Sequence, residues 1–266
     1  MKAQITLTPS ESKRLIAKAL VKHERVKRAF KKGIVVINLG STNAFVAEEL
    51  LKSGLAKERF VAGMIDGKGT CVVPRKERLD SIVLREGVVC DEGVEDVVRE
   101  MGPDDLFIKG ANAVDPGGVA GVMLASKTGG TIGHVLGTLK ARGVPIIIPV
   151  GLEKLIPDSI EKVSTVAGIY QMDLSTGAPV GVMPLSGEVI TEREAFKLLG
   201  DVEVHVIGAG GIGGGEGSYT FIIEGGERWV KDIFDVVKSI KGEPPIKALR
   251  GSCGSCIYEC PERKRR

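Results

Sequence analysis

Apolar residues along this chain fall into two rhythms, one of helical spacing and one of short unbroken runs. Thr8-Pro9-Ser10-Glu11 combines an N-cap threonine, proline at the first helical position and glutamate at the third, a capping box. Leu15, Ile16, Ala19, Leu20, Val26 and Phe30 follow at helical spacing, and Gly33 supplies a stop, so one helix is predicted up to that glycine. Ile34-Val35-Val36-Ile37 is then a run short enough for a buried strand. Leu39-Gly40-Ser41-Thr42-Asn43 leads from it into a second helix carrying Phe45, Val46, Leu50 and Leu51 on its inner face.

Further on, Ile82-Val83-Leu84 and Val88-Val89 are candidate strands, and Val94, Val97, Val98 and Met101 mark a short helix. Leu106-Phe107-Ile108 predicts a strand, Ile132, Val135, Leu136 and Leu139 a helix, and 144–150 another strand. Residues 153–166 read as partly helical, interrupted by Pro157. This alternation predicts an α/β domain over 1–176 with a mostly parallel sheet and helices on both faces.

From Ala178 the rhythm changes. A strand at Val180–Met183 precedes a second capping box, Thr191-Glu192-Arg193-Glu194, and its short helix. Strands at 202–207 and 219–223 follow, then a helix carrying Trp229, Val230, Ile233, Phe234, Val237 and Ile240. The order β-α-β-β-α predicts a small α+β unit, ferredoxin-like in order, over 177–242, with a cysteine-containing basic tail over 243–266.

Composition narrows the function classes. Hydrophobic residues are 43% and aromatics only 4%, with 36 glycines, which suits strands of Val, Ile and Leu buried by helices. The net charge is +3, concentrated at Lys22–Lys32 and at Arg263–Arg266; the single aromatic there, Phe30, falls on the apolar helical spacing, so no stacking platform is interleaved, which argues against nucleic acid. No apolar run approaches the ~20 residues of a membrane helix, and the first residues lack an apolar signal core, so a cytoplasmic protein without a membrane partner is expected. A homo-oligomer is left open. In that compartment five cysteines are expected as thiols, metal ligands or redox groups.

Two glycine-containing loops carry the candidate chemistry. Gly40-Ser41-Thr42-Asn43 joins a buried strand to a helix, where glycine admits a ligand close to the backbone and helix N-terminal amides with hydroxyls favour an anion. Thr128-Gly129-Gly130-Thr131 enters the helix that contains His134, an acid or base candidate near neutral pH. A lone histidine in a first helical turn more often faces solvent. Gly208-Ala209-Gly210-Gly211-Ile212-Gly213 spells a dinucleotide motif, yet Ser218–Ile223 after it has a strand pattern, so a hairpin loop is predicted instead, with Glu216 at its tip. Cys253, Cys256 and Cys260, spaced for two or three thiolates on one ion, are one ligand short of zinc or an iron–sulfur cluster; Cys71, Cys90 or a second subunit would complete the set.

The order of elements over most of 8–151, together with Gly40-Ser41-Thr42, Gly110-Ala111-Asn112-Ala113-Val114-Asp115 and Thr128-Gly129-Gly130-Thr131, resembles one superfamily. It comprises ribose-5-phosphate isomerase, glucosamine-6-phosphate deaminase and CoA transferases, with initiation-factor-2B and sugar-responsive repressor branches. The resemblance implies that the first loop holds a phosphate. It also implies acidic residues where this chain has Lys109 and Asn112, so the carboxylate base of a ribose-5-phosphate isomerase is missing.

The expected ligand is therefore a phosphorylated sugar, nucleotide or CoA-like molecule. Gly40, Ser41, Thr42, Asn43, Gly110, Asn112, Thr128, Gly129, Gly130 and Thr131 would contact it, and Lys109, Asp115 and His134 are the candidates for chemistry. The competing expectation is a sensor or interaction scaffold whose tail carries metal.

Overall fold

The computed structural model describes residues 1–253, 256 and 260. The chain begins with β1 (Lys2–Leu7), α1 (Pro9–Leu20), α2 (Glu24–Lys32), β2 (Ile34–Ile37), α3 (Ser41–Leu51), β3 (Gly63–Asp66) and β4 (Gly69–Val72). It continues through β5 (Ile82–Arg85), β6 (Val88–Cys90), α4 (Val94–Val97), β7 (Leu106–Ile108), β8 (Ala113–Val114), β9 (Ala120–Leu124), α5 (Gly130–Ala141) and β10 (Ile146–Pro149). The last elements are α6 (Ile160–Val166), β11 (Gly181–Leu185), β12 (Glu188–Ile190), α7 (Glu192–Leu199), β13 (Val202–Gly210), β14 (Ser218–Gly225) and α8 (Glu227–Ile240).

The central sheet has the order β12-β10-β7-β2-β5-β6. β12, β10, β7 and β2 run parallel, whereas β5 pairs antiparallel with both β2 and β6. The sheet is thus mixed rather than mostly parallel as the alternation predicts. The reason is local: Glu86 and Gly87 adopt positive φ between β5 and β6, closing a two-residue hairpin that returns along the edge with no crossover helix.

Side chains of the central strands alternate between two cores, as strand geometry requires. Val35, Ile37, Leu106, Ile108 and Ile147 face one core, which also takes residues of α1, α3, α7, α8, β1 and β14. Val36, Phe107, Ile146 and Ile148 face the other, against Val97, Met101, Ile132, Val135 and Leu139 of the α4–α5 side. Both faces are buried, which explains the unbroken apolar runs.

The expected boundary at 176 is not followed by the sheets. β11 pairs with β9, β12 extends the central sheet beside β10, and β14 pairs with β1 at the start of the chain. The order β1-β14-β13 forms a sheet of its own, with α7 and α8 packed into the same core as α1 and α3. The ferredoxin-like arrangement is absent because its first strand belongs elsewhere. Nor is the first helix continuous: it breaks at Val21–His23, where the His23 imidazole caps a new helix by accepting from the Arg25 amide. On α8, Val230, Ile233, Val237 and Ile240 are buried, while Trp229 and Phe234 keep substantial exposed surface. The Gly-rich segment after β13 is the expected hairpin loop, since β13 and β14 are antiparallel neighbours; Glu216 there is exposed and accepts from the Gly214 amide. No helix among the described residues is long and apolar enough to cross a membrane.

One carboxylate ties the two ends of this architecture together. Glu11, 3% exposed, accepts from the Thr8 amide at 2.9 Å, from Lys241 Nζ at 2.6 Å and from the Gly242 amide at 2.9 Å. Burial pushes its pKa up, but these donors outweigh burial and hold it below the usual carboxylate value. Replacing Glu11 with alanine removes a cap and leaves the Gly242 amide without its acceptor, and is expected to cost about 2–4 kcal/mol in urea unfolding. A loss within experimental error would show that the contact does not secure the C-terminal helix.

Candidate functional site

Three parallel strands end side by side, and each is followed by a segment that lines a cleft. β2 leads into Asn38–Thr42, β7 into Lys109–Asn112, and β10 into Val150–Lys154. The carboxyl edge of a parallel sheet is where ligands settle, because strand carbonyls and helix N-termini meet there. Asn43, wholly buried, fixes the geometry: its Nδ2 donates to Asn38 O at 2.6 Å and to Ile108 O at 3.2 Å. The start of α3 is thereby clamped onto the ends of β2 and β7.

At that start no side chain caps the helix, and the amides of Ser41, Thr42 and Asn43 have no partner among the described residues. The Thr42 hydroxyl, on a residue 1% exposed, is also without a partner. The inner chamber of the cleft, about 130 Å³, is lined by Gly40, Ser41, Thr42, Lys109, Gly110, Asn112 and Lys154 together with the β3–β4 hairpin. No carboxylate lines it among the described residues. Asn112 Oδ1 accepts from the Met123 amide at 2.9 Å, which leaves its NH₂ group for a ligand.

Two lysines dominate the electrostatics. Lys109 Nζ reaches only the Gly110 carbonyl at 3.3 Å, and Lys154 Nζ donates to Ala111 O at 2.9 Å. Each keeps some surface toward the cleft, yet protein packs around both. Burial, and then the charge of Lys154, bring Lys109 down to about 8. Burial also brings Lys154 down to about 8, against the opposing pull of Glu153.

Behind Lys154 lies a denser cluster. Glu153 Oε1 pairs with Lys13 Nζ at 2.6 Å while its Oε2 is buried without a partner. Burial would raise Glu153, but the charges of Lys13 and Lys154 keep it lowered. Glu192, fully buried at the start of α7, accepts from the Leu152 amide at 2.8 Å; burial first and the charge of Glu153 second push it up to about 7.

The second glycine loop lines an adjacent chamber. Gly129, Gly130 and Thr131 share it with Leu39, Arg78 and Lys109, so Lys109 and Leu39 form the common wall between the two loops. Gly129 and Gly130 have φ of 78° and 60°, a left-handed turn that a side chain would strain, and it delivers the chain into α5. β9, which precedes this loop, lies in a different sheet from β2.

Other candidates do not meet the cleft. Asp115 is 5% exposed and accepts from the Val119 and Ile160 amides at 2.9 Å each; burial opposes its charge, but these donors hold it lowered, and it organises a turn. His134 is exposed, with Nδ1 2.7 Å from Glu95 Oε1, and Thr128 is exposed beside Ser126. Conversely, sequence reasoning passed over Lys154, Glu153 and Lys13. The signal available was the position of Val150–Lys154 after a buried strand, the same rule that singled out Gly40.

The tail begins as part of the body. Residues 245–249 line an outer chamber with Ser41, Lys13, Glu153 and Lys154, and Arg250 is fixed to Asp66 by bonds of 2.6 and 2.9 Å. Cys253 and Cys256 line another cavity with Cys71, whereas Cys260 is not among its lining residues. Cys90, the other expected helper, lies in β6 with its Sγ near the Val88 carbonyl. Among the described residues no three His, Cys, Asp or Glu side chains are grouped to hold a metal ion. The rest of the cysteine segment, and Arg263–Arg266, lie outside the described residues. No protein-family model, curated protein or solved structure matches the chain.

The buried carboxyl behind the cleft gives a pH signature. Glu192 has a folded pKa above its unfolded value of 4.5, so the native state binds the extra proton between pH 4.5 and about 7. Stability contributed by this group therefore falls as pH rises through that window. Glu192→Gln keeps an oxygen for the Leu152 amide and removes the buried charge. It is expected to be more stable than the parent at pH 8, by about 1–3 kcal/mol, with the gap closing below pH 5. Melting curves across pH check this; a gap that does not depend on pH would contradict it.

Proposed function

We propose that the cleft binds a phosphorylated small molecule, whether sugar phosphate, nucleotide or CoA-like. The observation that carries this reading is the inner chamber itself. It has two lysine side chains, no lining carboxylate, and a helix start with free amides and a buried, unpartnered Thr42 hydroxyl. A cation in a partly desolvated site is costly unless an anion accompanies it or its proton leaves. A phosphate at the start of α3 would accept from the Ser41 and Thr42 amides and the Thr42 hydroxyl, with Lys154 and Lys109 balancing its charge. Asn112 would orient the remainder of the ligand, and Gly129–Thr131 would meet a second anionic or polar group. A ribose-5-phosphate isomerase activity is not proposed, since Lys109 and Asn112 offer no carboxylate base. For the metal-tail scaffold, Cys71, Cys253 and Cys256 border one cavity, but among the described residues no three such side chains are grouped to hold a metal ion.

Thermal melting with inorganic phosphate, ribose 5-phosphate, ATP and acetyl-CoA tests the reading. A ligand at 100 times its Kd adds about 2.7 kcal/mol, enough to read as a clear rise in Tm. Thr42→Ala is expected to weaken binding by about 0.5–1.5 kcal/mol. Affinity should decline as pH rises above about 8, where Lys109 and Lys154 lose their protons. Absence of stabilisation by all four compounds at millimolar concentration would overturn the proposal.

A further inference from the structure

Lys109 differs from the other cleft cation in ways that anion binding alone does not require. Lys154 is tethered by a 2.9 Å bond to Ala111 O and stands beside Glu153, which compensates its charge. Lys109 lies at the end of the central strand β7, forms no ion pair among the described residues, and has one long contact, to the carbonyl next to its own residue. It also borders both the chamber at the start of α3 and the chamber at the start of α5. A ligand phosphate at either helix start would thus place its carbon skeleton beside this amine.

Resting on the reading of a phosphorylated ligand, we propose that Lys109 is a nucleophile that captures the carbonyl carbon of a phosphorylated aldehyde or ketone as a Schiff base. The amine lone pair forms a C–N bond to the carbonyl carbon while the carbonyl π pair moves to oxygen. The ammonium form of Lys154, in the same chamber, supplies the proton that makes this oxygen a hydroxyl. Protonation of that hydroxyl and its departure as water, with loss of the remaining amine protons to solvent, leaves the C=N bond; reprotonation gives the iminium. Nothing is oxidised or reduced, and one water is released. The lowered basicity of Lys109 keeps a useful share of the amine neutral near pH 8.

Borohydride trapping of the full chain with dihydroxyacetone phosphate and with glyceraldehyde 3-phosphate tests this, read by intact mass and peptide mapping. One reduced adduct is expected on the Lys109 peptide, at least tenfold above any other lysine. Its formation should rise through pH 8 and level off, while surface lysines continue to gain. Lys109→Arg, confirmed folded by a cooperative melt, should lose the adduct; Lys154→Met should slow its formation. If Lys109→Arg fails to fold, peptide mapping of the parent still assigns the lysine.

No adduct with either probe, or label spread over many lysines, overturns the inference. If inorganic phosphate still raises the parent Tm in that case, the phosphate reading stands without it. An adduct on Lys109 that forms equally well with dihydroxyacetone lacking phosphate upholds the nucleophile and removes the support for a phosphate site.

Discussion

The site depends on the side-chain amide of Asn43 bridging the last carbonyls of two parallel strands. Parallel strands that end side by side present carbonyl groups with no further strand to satisfy them, and a helix start presents amides in the same predicament. A buried asparagine in the first turn of α3 meets the carbonyl half of that requirement and leaves the amide half open. The clamp fixes where α3 begins and, with it, the position of Thr42. Aspartate there would place an acceptor against two carbonyl oxygens, and leucine would remove the donor to Asn38 O, leaving Ile108 O only its bond from the Asn38 amide.

Around this clamp the charges are arranged in tiers. Lys13, Glu153, Lys154 and Glu192 run from the core to the cleft wall, and their signs do not cancel locally. Glu153 is held ionised by two lysines, and its charge adds to burial, the larger cause, in making a charge on Glu192 unfavourable. The charged side chains that line the inner chamber, Lys109 and Lys154, are both cations. Such an arrangement keeps positive charge at one edge of the sheet at a cost in desolvation.

The tail has a structural part in the same design. Residues 245–249 border the outer chamber, and Arg250 is held against Asp66 by two charge-assisted bonds. Asp66 is lowered to about 2 first by that bond to Arg250 and then by the Lys68 amide, so the contact persists across the neutral range. The β3–β4 hairpin is fixed on its other side by Gly177, whose φ of 97° brings its backbone against Thr70. The wall of the cleft opposite the helix start is therefore built from segments more than a hundred residues apart.

By itself the sequence determined the elements that local physics dictates. Apolar runs such as Ile34–Ile37 and Leu106–Ile108 are short enough for buried strands, and capping boxes at Thr8 and Thr191 define helix starts through hydrogen bonds within four residues. The Gly40–Thr42 loop was legible for the same reason, since a strand, a glycine and a helix start are consecutive. Only the tertiary structure decided which strands share a sheet. β1 was passed over although Lys2–Leu7 alternates polar and apolar residues at every position; its partner, β14, comes from more than two hundred residues away. The expected C-terminal unit does not form a sheet of its own because β11 pairs with β9, while β13 and β14 join β1. Lys154 and Glu153 read as ordinary charged residues along the chain. Their meaning comes from burial beside Lys13 and Lys109, and burial is a property of packing that no local pattern encodes.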